Sequence, residues 1–295
     1  MHGSIIATLI GTITFMVVTR KTLEVASHAF FFVLAGMMAF LSVSCKDVFD
    51  IHPYDVDFEG EESINVRNIA RIERLYANRD TIRFVVTGDT QGWYDETADM
   101  VADINGRGDI DFVIHGGDLS NYGVTREFVL QRDILQRLNM PYVALIGNHD
   151  CLGTGIEVFK RMYGDLNFSF IAGRVKFICL NTNALEYDFS EAIPDFDFIQ
   201  SQLDKGTDGY DKTVFCMHSP PFNEQFNNKV VHAFDHYVRL FPNVQFCTSG
   251  HLHRFNAEDY FNNGIIYFTS DSANHRNYIV FTITTEGYYY EVVYY

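Results

Sequence analysis

The chain has 295 residues, of which 47% are hydrophobic and 20% charged, so it is long and apolar enough to fold around a sizeable core. Its formal net charge of -16 at pH 7 argues against binding to nucleic-acid duplexes, because such binding depends on Lys and Arg that neutralise backbone phosphates. An acidic substrate is still compatible with this charge, since bound metal cations can dominate the local field.

The N-terminal part of the chain resembles a membrane-targeting signal. Two apolar runs, residues 5–18 and 30–43, are each shorter than the ~20 residues that a membrane-spanning helix needs. The second run ends in small residues followed by Cys45, an order that resembles a bacterial lipoprotein signal with Cys45 as the lipidated residue. We therefore predict a protein of the bacterial cell envelope, tethered to a membrane through its N-terminus. Either Met1 or Met16 is the start, and an uncleaved anchor helix is the alternative to lipidation.

After an acidic linker, the apolar spacing from Ile64 to Leu75 predicts a helix. Strands and helices then alternate: strands over 81–87, 111–115 and 142–146, and helices over 94–105 and 124–139. The rest of the chain is richer in strand-like runs, with one helical pattern near residues 229–241. This order predicts an α/β protein in which mixed sheets pack together and helices lie outside.

Five of the predicted strands end in side chains that can bind metal ions. The segments are Gly88-Asp89-Thr90-Gln91, Gly117-Asp118, Gly147-Asn148-His149-Asp150, Met217-His218-Ser219 and Gly250-His251-Leu252-His253. Because sites in α/β sheets form beyond the carboxyl ends of strands, we expect these loops to converge on one pocket. Imidazole and carboxylate without thiolate suit Mn²⁺, Fe²⁺ or Zn²⁺. Two such ions about 3.5–4 Å apart can clamp a phosphoryl group and lower the pKa of water to about 7.

The order GDTQ, GDLSNYG, GNHD, a lone His and GHLH resembles the motif series of the calcineurin-like metallophosphoesterases, over residues 82–253. The resemblance implies two mixed β-sheets packed as a sandwich flanked by helices. It also implies hydrolysis of a phosphodiester, a phosphomonoester or a nucleotide diphosphate at a centre of two divalent metal ions, without a covalent phospho-enzyme. We accordingly divide the chain into a targeting segment (1–44), a linker with an N-terminal helix (45–80) and a metallophosphoesterase domain (81–295).

The resemblance further implies a role for each matched residue. Seven residues would hold the metal ions: Asp89, Gln91, Asp118, Asn148, His218, His251 and His253. Asp118 would bridge the two ions. Asp89 and His253 would serve the first ion, and Asn148, His218 and His251 the second. His149 would orient the substrate phosphate and help to protonate the leaving group, and Asp150 would orient His149.

Gln91 departs from the family motif, which has a histidine at this position. An amide oxygen ligates hard cations but binds borderline metals less well than imidazole does, so we predict Mn²⁺, with Fe²⁺, Zn²⁺ and Mg²⁺ as alternatives. The resulting DxQ motif is similar to that of the manganese-dependent ADP-ribose pyrophosphatase branch, which favours diesters or nucleotide diphosphate compounds. Asn121 is a second departure, at the second Asp of GDxxDxG.

The substrate is less well defined by the sequence. Asn183, His275 and Arg276 follow other strands and are candidate substrate-binding residues, with ordinary loop polarity as the alternative. The expected partner is a phosphorylated small molecule or a lipid. Two other functions remain open: a non-catalytic envelope lipoprotein that binds a metal or a ligand on the same scaffold, and a phosphodiesterase directed at membrane lipids.

Overall fold

The computed structural model describes residues 54–77 and 79–295, and in addition Ser27, His28, Phe30, Phe31, Phe32 and Met37, which are helical. The predicted lipidation site Cys45 and the alternative start Met16 lie outside the described residues. Within the described part, no helix is long and apolar enough to cross a membrane. The chain divides into two compact units, Met1–His52 and Pro53–Tyr295, and every predicted metal ligand belongs to the second.

Helices and strands alternate through the described residues of the second unit. The α-helices are α1 (Ile64–Tyr76), α2 (Tyr94–Arg107), α3 (Thr125–Leu135), α4 (Gly155–Met162), α5 (Phe196–Asp204) and α6 (Val231–Val238). The strands are β1 (Ile82–Thr87), β2 (Phe112–His115), β3 (Tyr142–Ala144), β4 (Phe168–Ala172), β5 (Val175–Leu180), β6 (Lys212–Met217), β7 (Val244–Ser249), β8 (Asn256–Glu258), β9 (Tyr267–Thr269), β10 (Asn277–Ile283) and β11 (Tyr288–Tyr294). Short 3₁₀ turns cover His149–Cys151, Ala184–Tyr187 and Ala273–His275.

The strands form two mixed sheets. The first has the order β11-β10-β1-β2-β3, and the second has the order β4-β5-β6-β7-β9-β8. In the first sheet β1, β2 and β3 are parallel, while β10 and β11 are antiparallel to their neighbours. In the second sheet the four central strands are parallel, and β4 and β8 add antiparallel edges. The predicted α/β fold of two mixed sheets flanked by helices is therefore confirmed.

Aromatic side chains fill the space between the two sheets. The ring of Phe84 on β1 stacks on Phe112 with centroids 5.1 Å apart, and meets the edge of Phe177 from the second sheet at 5.1 Å. The neighbouring Val85 points to the opposite face, where it packs with side chains of the helices α1 to α4. Helices α5 and α6 cover the outer face of the second sheet. Because both faces of each sheet are covered, the central strands are continuous apolar runs.

Most predicted elements are present, and the departures have local causes. Helix α3 ends at Leu135 and strand β3 at Ala144, earlier than predicted. Helices α4 and α5 and the three-residue strand β8 were not predicted. Helix α5 follows a proline and has only nine residues, so its apolar periodicity covers little more than two turns. Its N-cap is Asp195, whose carboxylate accepts the N–H of Phe198 at 2.9 Å.

Candidate metal centre

The loops that follow β1, β2, β3, β6 and β7 meet at the carboxyl ends of these strands. The N–H of Asp89 donates to the carbonyl of Gly117 at 3.0 Å, which joins the loops after β1 and β2. The N–H of Gly250 donates to the carbonyl of His218 at 3.0 Å, which joins the loops after β6 and β7. His218 Nδ1 lies 2.9 Å from the carbonyl oxygen of Gly116 and so connects the two sheets. The predicted convergence of five loops is thus present.

Asp118 lies at the centre of the cluster and is buried. Its Oδ1 is 3.5 Å from His218 Nε2 and accepts the N–H of His149 at 3.0 Å, whereas its Oδ2 accepts the amide of Gln91 at 3.2 Å. Burial opposes ionisation, but His218 and His149 outweigh it and lower the pKa of Asp118. Ligand atoms of Asp89, Asp118 and His218 all lie within 4.8 Å of one another. The two carboxylate oxygens of Asp118 therefore face two different groups of side chains.

One group faces Asp118 Oδ1 and is centred on Asn148. Asn148 Oδ1 lies 3.0 Å from His218 Nε2 and 2.9 Å from His251 Nδ1. The Gly116 carbonyl accepts a hydrogen bond from Nδ1–H of His218, which in the neutral ring leaves the Nε2 lone pair for a cation. Burial alone would lower the pKa of His218, but Asp118 outweighs it and raises the pKa to about 9. The local field thus favours positive charge at this position.

The other group lies around Asp89 and Gln91. Asp89 is buried, its Oδ1 is 3.2 Å from His253 Nε2, and its carboxylate accepts the N–H of His251 at 3.0–3.1 Å. The hydrogen bond to Asp89 raises the pKa of His253. Gln91 donates to Asp118 through Nε2, which leaves its buried Oε1 without a hydrogen-bond partner. A buried amide oxygen without a donor is costly, so this atom is placed for a cation.

The spacing and chemistry of these side chains fit divalent cations. Ligand atoms that share one ion at about 2.1 Å lie roughly 3.0 Å apart along the edge of an octahedron. The ring nitrogens around Asn148 Oδ1 and the pair formed by Asp89 and His253 have separations of 2.9 to 3.2 Å. Carboxylate, amide and imidazole donors without thiolate suit Mn²⁺, Fe²⁺ or Zn²⁺. The residues therefore fit such ions in two groups that share Asp118.

The backbone of the cluster is strained. Four predicted ligands adopt left-handed φ angles: Asp89 (50°), Asp118 (59°), His251 (72°) and His253 (48°). Such conformations are uncommon outside glycine, and they accumulate at functional sites because the surrounding structure holds them in place. Close approach also requires glycine at two neighbouring positions. A Cβ atom on Gly147 would overlap Asp118 Oδ1, and one on Gly250 would lie 2.6 Å from Asp89 Oδ2.

His149 lies beside the cluster, and the group that orients it is not the predicted Asp150. Its Nδ1 is 2.8 Å from the main-chain carbonyl oxygen of Asn121. Asp150 is buried instead beneath the loops, where its carboxylate accepts the N–H groups of Leu119, Ser120 and Gly147 and the Ser120 hydroxyl at 2.8–3.2 Å. Asp150 therefore ties the loops after β2 and β3 together and does not orient His149. Burial and the charge of Asp118 raise the pKa of Asp150 to about 7.

The three predicted substrate-binding residues have other partners in this structure. Arg276 Nη2 pairs with Asp99 at 2.6 Å, and its Nε donates to the carbonyl of Tyr295 at 3.1 Å. His275 Nδ1 lies 2.7 Å from Asp271 Oδ1. Asn183 is buried and donates to the carbonyl of Ile146 at 3.0 Å, so it joins the loop after β5 to the end of β3. A substrate contact by any of them stays a prediction.

Three contributors to the site were not predicted from the sequence. Glu224 Oε1 lies 3.4 Å from His251 Nε2 at the mouth of the cluster. It is the sole acidic residue between Pro220 and Lys229, which is a usable but weak signal. The carbonyl groups of Gly116 and Asn121 orient His218 and His149. Main-chain acceptors carry no signal in residue type, so only the folded geometry identifies them.

The model of the calcineurin-like phosphoesterase family matches residues 82–255, which is more than half of the chain. The chain belongs to this family. The match begins at β1 and ends just beyond the last predicted ligand, so all five metal-capable loops fall inside it. Dependence on divalent metal ions is typical of calcineurin-like phosphoesterases and agrees with the cluster of Asp89, Asp118 and His218.

Solved structures with the same fold include proteins with different descriptions. A dimetal phosphatase from Danio rerio has a TM-score of 0.57 at 12% identity, covering 72% of this chain and 99% of that one. The purple acid phosphatase PPD1 from yellow lupin seeds has a TM-score of 0.56 at 16% identity, covering 74% and 52%. GAP50, the anchor in the inner membrane complex of Plasmodium, has a TM-score of 0.55 at 13% identity, covering 73% and 85%. At these identities the likeness shows the fold alone. No curated protein sequence matches the chain significantly.

Proposed function

We propose that this protein hydrolyses phosphoesters at a centre of two divalent metal ions. The observation that carries the proposal is the position of buried Asp118, whose two oxygens face two separate groups of potential ligands. One group comprises Asp89, Gln91 and His253, and the other comprises Asn148, His218 and His251. Membership of the calcineurin-like phosphoesterase family supports the same chemistry.

His149 supplies the proton in the proposed reaction. The metal ions, when bound, act as Lewis acids and lower the pKa of water. A water molecule loses one proton to solvent, its oxygen forms a new bond to phosphorus, and the bond from phosphorus to the leaving oxygen breaks. His149 donates its Nε2 proton to that oxygen and regains a proton from solvent. The carbonyl of Asn121 accepts Nδ1–H throughout, so it orients the ring with Nε2 free for this transfer.

We propose Mn²⁺ as the metal and a phosphodiester or nucleotide diphosphate as the substrate. Gln91 supports this choice because its unpartnered Oε1 is a hard oxygen donor at a position where the family motif has imidazole. The second candidate function is a non-catalytic metal- or ligand-binding protein. It is favoured by the bond from Gln91 Nε2 to Asp118, which engages a side chain that a full first site would need. GAP50, which has the same fold, is described as an anchor.

The decisive experiment uses the purified full chain, stripped of metal with a chelator and refilled with Mn²⁺. Hydrolysis of bis(p-nitrophenyl) phosphate and p-nitrophenyl phosphate is measured for the native chain, Asp118→Asn and the control Asp208→Asn, which lies in an exposed loop. Manganese-dependent turnover that Asp118→Asn abolishes and Asp208→Asn retains supports the enzyme. A folded protein that binds Mn²⁺ without turnover on either compound supports the binding protein.

We also propose that Cys45 anchors the protein in the bacterial envelope. The support is the sequence pattern of an apolar run, small residues and Cys45. Mass spectrometry of the N-terminal peptide from the membrane fraction tests this directly. A peptide that begins at lipidated Cys45, and its loss from membranes in Cys45→Ser, are the expected results. An intact peptide that begins at Met1 or Met16 contradicts lipidation.

A further inference from the structure

Four large apolar side chains are exposed on the loops that carry the candidate metal ligands. They are Trp93 (40% exposed), Tyr122 (70%), Leu152 (37%) and Phe222 (51%), and we call them the apolar rim. A single exposed apolar residue is ordinary on any protein surface. Several such residues close together are typical of a surface that binds another protein or a membrane.

Three members of the apolar rim lie on loops that touch each other. Trp93 is two residues after Gln91, and a Cβ atom on the intervening Gly92 would lie 2.9 Å from the side-chain amide of Asn121. Tyr122 follows Asn121, whose carbonyl orients His149. On the far side of Tyr122, a Cβ atom on Gly123 would overlap the carbonyl of Leu152. The loops after β1, β2 and β3 thus present one continuous edge beside His149.

Phe222 extends the apolar rim to the loop after β6. Its φ of 68° lies in the left-handed region, which bulky aromatic residues rarely adopt and which the surrounding contacts must maintain. Its ring packs against Phe261 with centroids 5.4 Å apart while half of the side chain stays exposed. Two residues later, Glu224 reaches His251. Exposed apolar side chains therefore occur both on the loop of Gln91 and on the loop that reaches His251.

The chain enters the second unit at this same edge. The carbonyl of Asp55 accepts the hydroxyl of Thr125, at the start of α3. A Cβ atom on Gly153, next to Leu152, would lie 3.8 Å from the ring of Tyr54. Nine residues lead from Cys45 to Tyr54, and even fully extended they span only about 30 Å. A lipid on Cys45 would thus keep Tyr54, and with it the Leu152 end of the apolar rim, within roughly that distance of a bilayer surface.

We propose that the apolar rim docks on the lipid bilayer, so that the metal centre meets phosphoesters carried by membrane lipids. The docking rests on the exposed side chains and the entry point of the chain, and the choice of substrate rests on the proposed function. Trp and Tyr prefer the boundary between acyl chains and water, because one end of the side chain is apolar and the other is polar. Hydrolysis would cleave one P–O bond of the lipid phosphodiester with water and release an alcohol and a phosphomonoester.

Trp93 offers a direct readout of docking because it is the sole tryptophan of the chain. The full chain is reconstituted in vesicles of phosphatidylcholine and phosphatidylethanolamine, whose zwitterionic surface does not repel this acidic protein. Brominated phosphatidylcholine quenches tryptophan within the bilayer, and iodide quenches tryptophan in water. We expect brominated lipid to lower Trp93 emission roughly twofold and iodide to have little effect. Efficient iodide quenching with no effect of brominated lipid overturns the proposal.

A second measurement compares turnover of a phospholipid in these vesicles with turnover of bis(p-nitrophenyl) phosphate. Phe222→Ser and Tyr122→Ser should each lower the ratio of lipid turnover to soluble-diester turnover about tenfold. This is the loss expected when one aromatic side chain is no longer buried in the bilayer. Tyr289→Ser is the matched control, because Tyr289 is 59% exposed and pairs with Thr282, at the end of the sheet opposite Asp89. An unchanged ratio in both rim variants contradicts the docking.

The two measurements separate the failure of docking from the failure of the proposed function. Quenching of Trp93 by brominated lipid without hydrolysis of any phosphoester supports the docking surface and contradicts the enzyme. Hydrolysis of the soluble diester with Trp93 open to iodide supports the enzyme and contradicts the docking surface. Docking on a protein partner instead of a bilayer would give this second pattern as well.

Discussion

His149 Nδ1 lies 2.8 Å from the main-chain carbonyl oxygen of Asn121, so a backbone atom fixes the orientation of the proposed general acid. His149→Asn should lower kcat by about 10²–10⁴-fold, because proton transfer to the leaving oxygen is lost. The loss should be largest for alkyl diesters and smallest for p-nitrophenyl esters, whose leaving group needs no proton.

Asn121→Ala is the matched control for this prediction, since it removes the side chain and keeps the orienting carbonyl. We expect its kcat to stay within a few-fold of the native value. Steady-state kinetics on the two classes of ester test both variants. An equal loss for alkyl and p-nitrophenyl esters in His149→Asn would show that His149 positions the substrate and does not supply the proton.

Asp150 should matter for stability because it accepts four hydrogen bonds from buried donors. Asp150→Asn replaces one acceptor oxygen with an N–H₂ group that faces these donors, so we expect unfolding free energy to fall by about 3 kcal/mol. Denaturant unfolding followed by circular dichroism measures the change, with the exposed Asp208→Asn as control. Unchanged stability combined with a shifted kinetic pKa would restore Asp150 as the orienter of His149.

Gln91 should limit the affinity of the first metal site. Gln91→His supplies imidazole in place of an amide oxygen, so we expect Zn²⁺ affinity to rise by roughly tenfold. Competition with a chromogenic chelator measures the dissociation constant and the number of ions bound. Gln200→His, on the exposed side of α5, controls for a new histidine elsewhere. The same affinity in Gln91→His and the native chain would show that position 91 does not contact a metal.

Phe84 should dominate the stability of the interface between the sheets, because its ring contacts Phe112, Phe177 and Phe281. We expect Phe84→Ala to lower the free energy of unfolding by about 3–5 kcal/mol through lost burial and the cavity that remains. The exposed Tyr289→Ala should change it by less than about 0.5 kcal/mol. Denaturant unfolding compares the two variants. A similar small effect for both would mean that the second sheet collapses into the cavity.

The sequence predicts much of the site because the signals are local and chemical. An apolar run that ends in glycine and an acidic or imidazole side chain marks the carboxyl end of a strand, and parallel strands bring such ends to one edge. Asp89, Asp118 and His218 are found together for this reason. Their chain separation is no obstacle, since sheet topology determines the distance between them.

The features that escaped prediction depend on contacts formed only after folding. The carbonyl of Asn121 orients His149, and no residue type indicates a main-chain acceptor. Asp150 is next to His149 in the chain, but its carboxylate points away into the loops because four donors lie there. Arg276 looks like a phosphate ligand in the sequence, yet Asp99 on α2 neutralises it. In each case the nearest neighbour in space is distant in the chain.

The pairing of β1 also has a consequence for the order of events during biosynthesis. One edge of β1 pairs with β2, which follows soon after, but its other edge pairs with β10, so that Ile82 lies opposite Ile283. A nascent chain therefore exposes one edge of an apolar strand until β10 has emerged. Such an edge can recruit other strands, and a premature stop before Asn277 would leave it permanently open. Completion of the sheet must wait for β10, so this edge of β1 stays open to other strands while most of the second unit is synthesised.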